Sequence, residues 1–208
     1  MSADLLPLLD STPERAYSGA LWRLWPTALE WVEPFYDAEH LRMTVVWMLR
    51  LDPAASEPML AAALTHDMER HFPGGTQPNK AAGLWDDYEY NTRHAARSAE
   101  IVSEWLREEH MSEEFVQQVI PPILEHEFGG SPEGNLIQAA DSLSFLDVNA
   151  GLVARWVVGG ETSLEYGIRK LDWAYERIQR ADARELARPL YEAAVKNTTD
   201  EVQKAPTR

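Results

Sequence analysis

His66 and Asp67 stand side by side at the end of an apolar, alanine-rich run, Leu60-Ala61-Ala62-Ala63-Leu64-Thr65-His66-Asp67. Neighbouring residues on a helix point about 100° apart, so these two side chains can lean toward one point only near a helix end. An imidazole beside a carboxylate at the mouth of a buried helix suits a metal with mixed nitrogen and oxygen ligands, such as Fe, Mn or Zn. The plainer alternative is an ordinary helix C-terminus, with the histidine near the negative end of the dipole and the aspartate solvated. The other histidines and carboxylates of the chain weigh on that choice.

There are six histidines: His40, His66, His71, His94, His110 and His126. His110 follows Glu108-Glu109 at the end of a long helical pattern, where a dipole contact accounts for it. His71 is five residues past His66 and does not share its helical face; it is expected on a loop rim. His40, His66 and His94 each lie in or at the end of a helix beside an apolar stripe, and His126 ends Ile123-Leu124-Glu125-His126. Asp141 follows Gln138-Ala139-Ala140 in an otherwise apolar stretch, where an unpaired carboxylate would be very costly. Several such polar groups on separate apolar helices make sense if they converge on common metal ions.

The elements that must position these groups read as helices. Thr12-Pro13 is a start signal for a segment reaching about Leu24, and Pro26 and Pro34 are expected to divide the next stretch into short pieces. Asp37 opens a helix that carries His40 and ends at Asp52-Pro53; Glu57-Pro58 opens the His66-Asp67 helix. Phe72 to about Gly83, with Pro73, Gly74, Gly75 and Pro78, reads as a loop long enough to form a lid or rim. Helical patterns then run from about Trp85 to His110, from Ser112 to about His126 with Pro121-Pro122 kinking or restarting it, and from about Pro132 to Leu146. Val148 to Val158 is open between helix and loop; Glu161 to Arg180 and Asp182 to about Lys196 are amphipathic helices. No hairpin signal appears. The expectation is an all-α, single-domain bundle of about seven to nine helices: residues 1–36 an N-terminal extension packed on the core, 37–197 the main domain, 198–208 a frayed tail.

Composition limits the function. With 208 residues, 45% hydrophobic and 25% charged, the chain can bury a substantial core. The absence of cysteine excludes disulfides, thiolate-bound zinc, iron–sulfur clusters and a cysteine nucleophile. No apolar run is long enough to cross a bilayer, and Met1-Ser2-Ala3-Asp4 carries no basic region ahead of an apolar one, so the plainest location is the cytoplasm. A net charge of −15 argues against a nucleic-acid surface and against anionic membranes. It leaves room for a small anionic substrate at a local positive site, which bound metal would provide most directly. A homodimer is compatible with the sequence.

The order His40 … His66-Asp67 … Asp141 resembles the HD-domain superfamily, named for its His … His-Asp … Asp metal ligands. Ala61-Ala62-Ala63-Leu64-Thr65-His66-Asp67 resembles the family's "AALLHD" helix, and Gln138-Ala139-Ala140-Asp141-Ser142-Leu143 its "xxADxL" helix. His94 and His126 match the extra histidines of dinuclear members, and the resemblance spans about His40 to Leu146. It implies a helical bundle of the HD-domain type in which His40, His66, Asp67 and Asp141 hold one metal. Asp67 would bridge to a second, held by His94 and His126. The cofactor would be one or two divalent transition metals: Fe or Mn first, with Mg, Co, Ni or Zn as alternatives. Two features depart from better-known subfamilies: Glu127 stands where some dinuclear members carry a second histidine, and Glu69-Arg70 stand near the place of a frequent lysine.

Such a centre would lower the pKa of bound water and host a phosphate, and most HD-domain proteins are phosphohydrolases. The resemblance therefore implies hydrolysis of a small phosphate ester or nucleotide, with Asp67 the bridging catalytic ligand. Basic candidates for the phosphate are Arg97, on the helical face of His94, with Arg93, Arg70, Lys80, Arg169 and Lys170. The alternative in the same ligand frame is a diiron oxygenase resembling myo-inositol oxygenase, which cleaves C–C or C–P bonds with O₂. Phosphonate-cleaving members carry a Tyr and a Glu upstream of the first histidine ligand; here Glu30 and Glu33 precede His40, but Tyr36 is too close. A third reading is a degenerate nucleotide-binding module.

Overall fold

A computed structural model describes residues 20–35, 37–75 and 79–204. The start signal at Thr12-Pro13, the leading Met1–Asp4, Tyr36, Pro78 and the last four residues lie outside the described residues. The described chain is helical throughout: α1 (Ala20–Val32), α2 (Ala38–Leu51), α3 (Glu57–Thr65), a 3₁₀ turn (Met68–His71), α4 (Tyr88–Glu108), α5 (Glu113–Glu125), α6 (Pro132–Ser144), a π segment (Phe145–Asn149), α7 (Ala150–Gly159), α8 (Leu164–Glu176) and α9 (Ala181–Lys204). Because α6, the π segment and α7 run on without a break, these form eight helical rods among the described residues, within the range expected.

Helix starts follow the sequence signals. Ser112, Ser131 and Ser163 each accept a hydrogen bond on Oγ from a first-turn amide (Phe115, Gly134 and Tyr166), and Asp87 does the same for Tyr90. At the core is α3, with every residue from Pro58 to Thr65 buried. A helix apolar all round must be enclosed. Its alanines, Ala61, Ala62 and Ala63, allow close approach, and α1, α2, α5 and α6 all pack against it. The outer layer is formed by α9, lying on α6, α7 and α8. The described part of the N-terminal extension, α1, shares the main core through Leu24, Ala28 and Val32.

Three expectations need correction. Pro26 sits inside α1, whose buried face outweighs one missing amide donor, so the segment is not divided there. Pro121 and Pro122 stand within α5, which reaches His126 as expected and is not restarted by them. Residues 198–204 are not frayed: α9 reaches Lys204 because Ala194 and Thr198 extend its buried face. The open stretch from Val148 to Val158 is helical, partly in π geometry. No helix among the described residues is long and apolar enough to cross a membrane.

Gly167 shows how tightly the outer layer is packed. It is buried in α8, and an added Cβ would stand 2.6 Å from Val157 Cγ2 and 3.2 Å from Val153 Cγ1. Alanine ordinarily favours a helix over glycine by about 1 kcal/mol. Here the clash against stiff, β-branched side chains on α7 should reverse that sign. Gly167→Ala is expected to lower stability by about 1–3 kcal/mol in urea unfolding; a more stable variant would show that α7 and α8 are not in contact there.

Candidate metal centre

Four of the histidines reach one centre from four elements, each engaged at Nδ1. His66 is the C-terminal cap residue of α3, and its Nδ1–H donates to the Ala63 carbonyl at 3.0 Å. The same local arrangement recurs at the end of α5, where His126 Nδ1–H donates to the Ile123 carbonyl at 2.7 Å. On α2, His40 Nδ1 lies 2.9 Å from Ser144 Oγ, whose hydroxyl donates to the His40 carbonyl at 2.8 Å. On α4, His94 Nδ1 lies 3.0 Å from Glu69 Oε2. With Nδ1 engaged, Nε2 is the nitrogen each ring presents inward.

The two aspartates divide their oxygens in the same way. Asp141 Oδ1 lies 3.1 Å from His40 Nε2 and 3.5 Å from His66 Nε2, while its Oδ2 is 2.5 Å from Arg177 Nη2. Asp67 Oδ1 lies 2.7 Å from His94 Nε2 and 3.7 Å from His126 Nε2, while its Oδ2 accepts from Arg70 Nε at 3.1 Å. Each carboxylate is thus fixed by an arginine on one oxygen and turns the other inward. Arg177 also binds the Glu127 carboxylate and donates from Nε to Ser142 Oγ at 2.8 Å. Glu127 keeps Oε1 clear of Arg177, 3.7 Å from His126 Nε2.

Two nitrogens show that this arrangement is incomplete. His66 Nε2 and His126 Nε2 are buried and make no hydrogen bond among the described residues. Buried polar atoms left unpaired cost on the order of 1–3 kcal/mol each. A cation between them would supply the partner. Three overlapping sets of donor atoms, each within 4.8 Å of one another, could hold a metal ion: His40, His66 and Asp67; His66, His126 and Asp141; Asp67, His94 and His126. The residues present fit a transition metal with imidazole and carboxylate ligands.

In the metal-free protein the electrostatics divide this donor set. Burial alone would lower His66, but Asp141 and Asp67 outweigh it and push His66 up to about 9. Burial leaves His126 low, at about 4, with His66 and His94 as further cationic neighbours. Against the penalty of burial, Arg70 and His94 hold Asp67 well below the usual carboxylate range, and Arg177 and His40 do the same for Asp141. His126 and both carboxylates are therefore in ligand form at neutral pH, and His66 is not.

The basic residues separate into three groups. Arg97 hydrogen-bonds Glu69 Oε1 at 2.8 Å and the Pro73 carbonyl at 2.6 Å, fixing the start of the loop instead of facing the centre. Arg93 is exposed and pairs with Glu89 at 3.3 Å, while Arg169 stands over the Tyr166 ring. Arg70, Lys80 and Lys170 line a cavity of about 430 Å³ above the His/Asp cluster, together with Asp67, Asp141 and Arg177. Lys80 pairs with Glu161 at 2.9 Å, and burial brings Lys170 down to about 8. His71 is exposed at the end of the 3₁₀ turn, away from the centre, and His110 stands exposed just past α4 at φ 60°.

Sequence reasoning missed Glu69, Ser144 and Arg177 as the residues that orient the donors. The signal for Arg177 was present: it caps α8 between the buried apolar residues Ala174 and Ile178, as Asp141 stands among apolar neighbours. No protein-family model, curated protein or solved structure matches the chain.

The geometry makes two demands that can be measured. A metal entering must displace the His66 proton, so affinity should climb about tenfold per pH unit for each proton displaced and level off above about 9. Calorimetry in buffers of different ionisation enthalpy reads the released proton; a pH-independent affinity with no proton release would show that His66 carries no proton to displace. Arg177→Met leaves Asp141 and Glu127 buried without their cation. It should destabilise the metal-free protein by about 3–5 kcal/mol in urea with chelator present, and a loss under about 1 kcal/mol would show that the clamp is dispensable.

Proposed function

We propose that this chain is a metal-dependent phosphohydrolase of the HD-domain kind, acting on a small phosphate ester or nucleotide. The observation that carries the reading is the convergence of four Nε2 and two Oδ1 atoms, two of the nitrogens unpartnered, beneath a cavity lined by four cations, Arg70, Lys80, Lys170 and Arg177. His40, His66 and Asp141 would hold one divalent ion, and His94 and His126 a second. Membership of Asp67 in both the His40–His66 and the His94–His126 sets supports its role as the bridge. Fe or Mn suits this donor set best, with Mg, Co, Ni or Zn as alternatives.

When bound, the metals supply Lewis acidity toward phosphate oxygens and an acidified water as nucleophile. The chain's own part is to arrange and exclude. Arg70 and Arg177 keep Asp67 and Asp141 ionised and fixed, so no reorganisation is needed when substrate arrives. Ser144, Glu69 and two main-chain carbonyls lock the four rings. The cavity admits a molecule of small-metabolite size, consistent with a soluble ester as partner and not a nucleic-acid chain.

Metal analysis of protein purified without chelator comes first: two ions per chain are expected, and fewer than one would overturn the dinuclear site. A panel of nucleotides and phosphate monoesters with Mn²⁺ or Co²⁺ should reveal turnover that His66→Ala and Asp67→Ala each abolish. Iron-loaded protein that consumes O₂ with a polyol or phosphonate, while every phosphate ester stays inert, would replace hydrolysis with the diiron oxygenase reading. Nucleotide binding without either reaction would leave the binding-module reading.

A further inference from the structure

The cavity has two chemically unlike parts. Its polar part is the cluster already described, with Asp37, Tyr90, Asn91 and Asn149 beside it; its apolar lining is largely aromatic, with Trp85, Phe145, Leu152 and Trp156. Trp85 and Trp156 stack with ring centres 5.9 Å apart and planes 12° from parallel. Trp85 is fixed in place because its Nε1–H donates to the Tyr166 carbonyl at 2.7 Å. Lys170 enters this aromatic part from α8. Its Nζ stands 4.8 Å from the Phe145 ring centre and 5.7 Å from that of Trp85.

Lys170 differs from every other cation of the cavity in what holds it. Arg70 is engaged by Asp67, Arg177 by Asp141 and Glu127, and Lys80 by Glu161. Among the described residues Lys170 has no carboxylate within ion-pairing distance and no hydrogen-bond acceptor; only ring faces receive it. Ring faces stabilise an ammonium by about 0.5–2 kcal/mol but do not neutralise it. Glu127 and Asp141 act on Lys170 only from beyond pairing distance, and a partly desolvated cation with no direct partner at the wall of a small cavity is a receptor for an anion. The His/Asp cluster already accounts for one anionic group of a substrate, so Lys170 calls for another.

We propose that the cavity is a two-point site for a compact phosphate ester that carries a planar, apolar body and a second anionic group, received by Lys170. This rests on the phosphohydrolase reading for the end of the substrate that faces the His/Asp cluster. The planar body lies against the aromatic wall, and the second anion, a carboxylate or another phosphate, binds the ammonium. At about 430 Å³ the cavity accommodates one ring system with two such groups.

The test uses Mn²⁺-loaded protein and phosphonates, which bind without turning over. Calorimetry compares phenylphosphonate with 4-carboxyphenylphosphonate and benzene-1,4-diphosphonate. At least one doubly anionic probe should bind about tenfold or more tighter, the scale of one charge-assisted hydrogen bond, and the tighter of the two identifies the second group. In Lys170→Gln that ratio should fall to about one, while Lys170→Arg should retain it. Metal content and circular dichroism are checked for each variant. Lys170→Met, which keeps the aliphatic stem against the rings, replaces the glutamine variant if that one does not fold. A wild-type ratio near one for both probes, or a ratio that survives loss of the charge, overturns the proposal. Benzoate separates the two readings: if phenylphosphonate does not bind at all but benzoate binds wild type and not Lys170→Gln, the phosphate site fails and the Lys170 site stands.

Discussion

Every imidazole at this centre has its Nδ1 taken, and the rest of the arrangement depends on that constraint. An imidazole in a helical bundle can turn either nitrogen, or neither, toward a neighbour. Here the Ala63 and Ile123 carbonyls, the Ser144 hydroxyl and the Glu69 carboxylate each occupy Nδ1, so the inward atom is Nε2 in all four rings. Two of these partners come free with the fold: a histidine in helical conformation just after a helix can reach back to the carbonyl three residues earlier. The other two demand tertiary contacts, across 104 residues for Ser144 and 25 for Glu69. The centre therefore cannot form before α2 meets α6 and the 3₁₀ turn meets α4.

The same logic governs the carboxylates. A buried aspartate close to several imidazoles could pair with any of them and collapse the space between. Arg177 and Arg70 limit this by engaging the outer oxygen of Asp141 and Asp67, so that only one oxygen of each approaches the imidazoles. Charge is thus balanced at the periphery while the middle of the cluster stays deficient in partners. Such a distribution is costly to stability, since desolvated ion pairs seldom return more than they cost. Functional sites are where a fold retains that kind of cost.

How much of this was legible in the sequence depended on whether the signal was local. His66-Asp67, His94 and Asp141 stood out because a polar residue amid apolar helical neighbours contradicts the period around it, and that contradiction needs no partner to be seen. Ser144 and Glu69 offered no contradiction, since serine and glutamate are ordinary on amphipathic helices; only the packing of distant elements assigns them a ring nitrogen. Arg97 illustrates the opposite failure. Sharing a helical face with His94 suggested that it also faces the centre, but a long guanidinium side chain reached Glu69 and the Pro73 carbonyl at the loop instead. Pro26 misled for an energetic reason: one lost hydrogen bond is a small term beside the buried face of Leu24, Ala28 and Val32. The tail misled similarly, because a polar composition past Lys196 hid the buried Thr198.

The π segment Phe145–Asn149 joins α6 to α7 within one uninterrupted rod, and both Phe145 and Asn149 line the cavity. A π turn holds one more residue than the α-helix around it. Its length is therefore what phases the two halves of the rod. Relaxing the turn to α geometry with all five of its residues kept would swing α7 by about 100° about its axis. Leu152 and Trp156 would leave the cavity wall together while Asp141, upstream, stayed in place. The extra residue is absorbed within 145–149, and a chain one residue shorter there would run from Asp141 to Trp156 in plain α geometry with the same face toward the cavity.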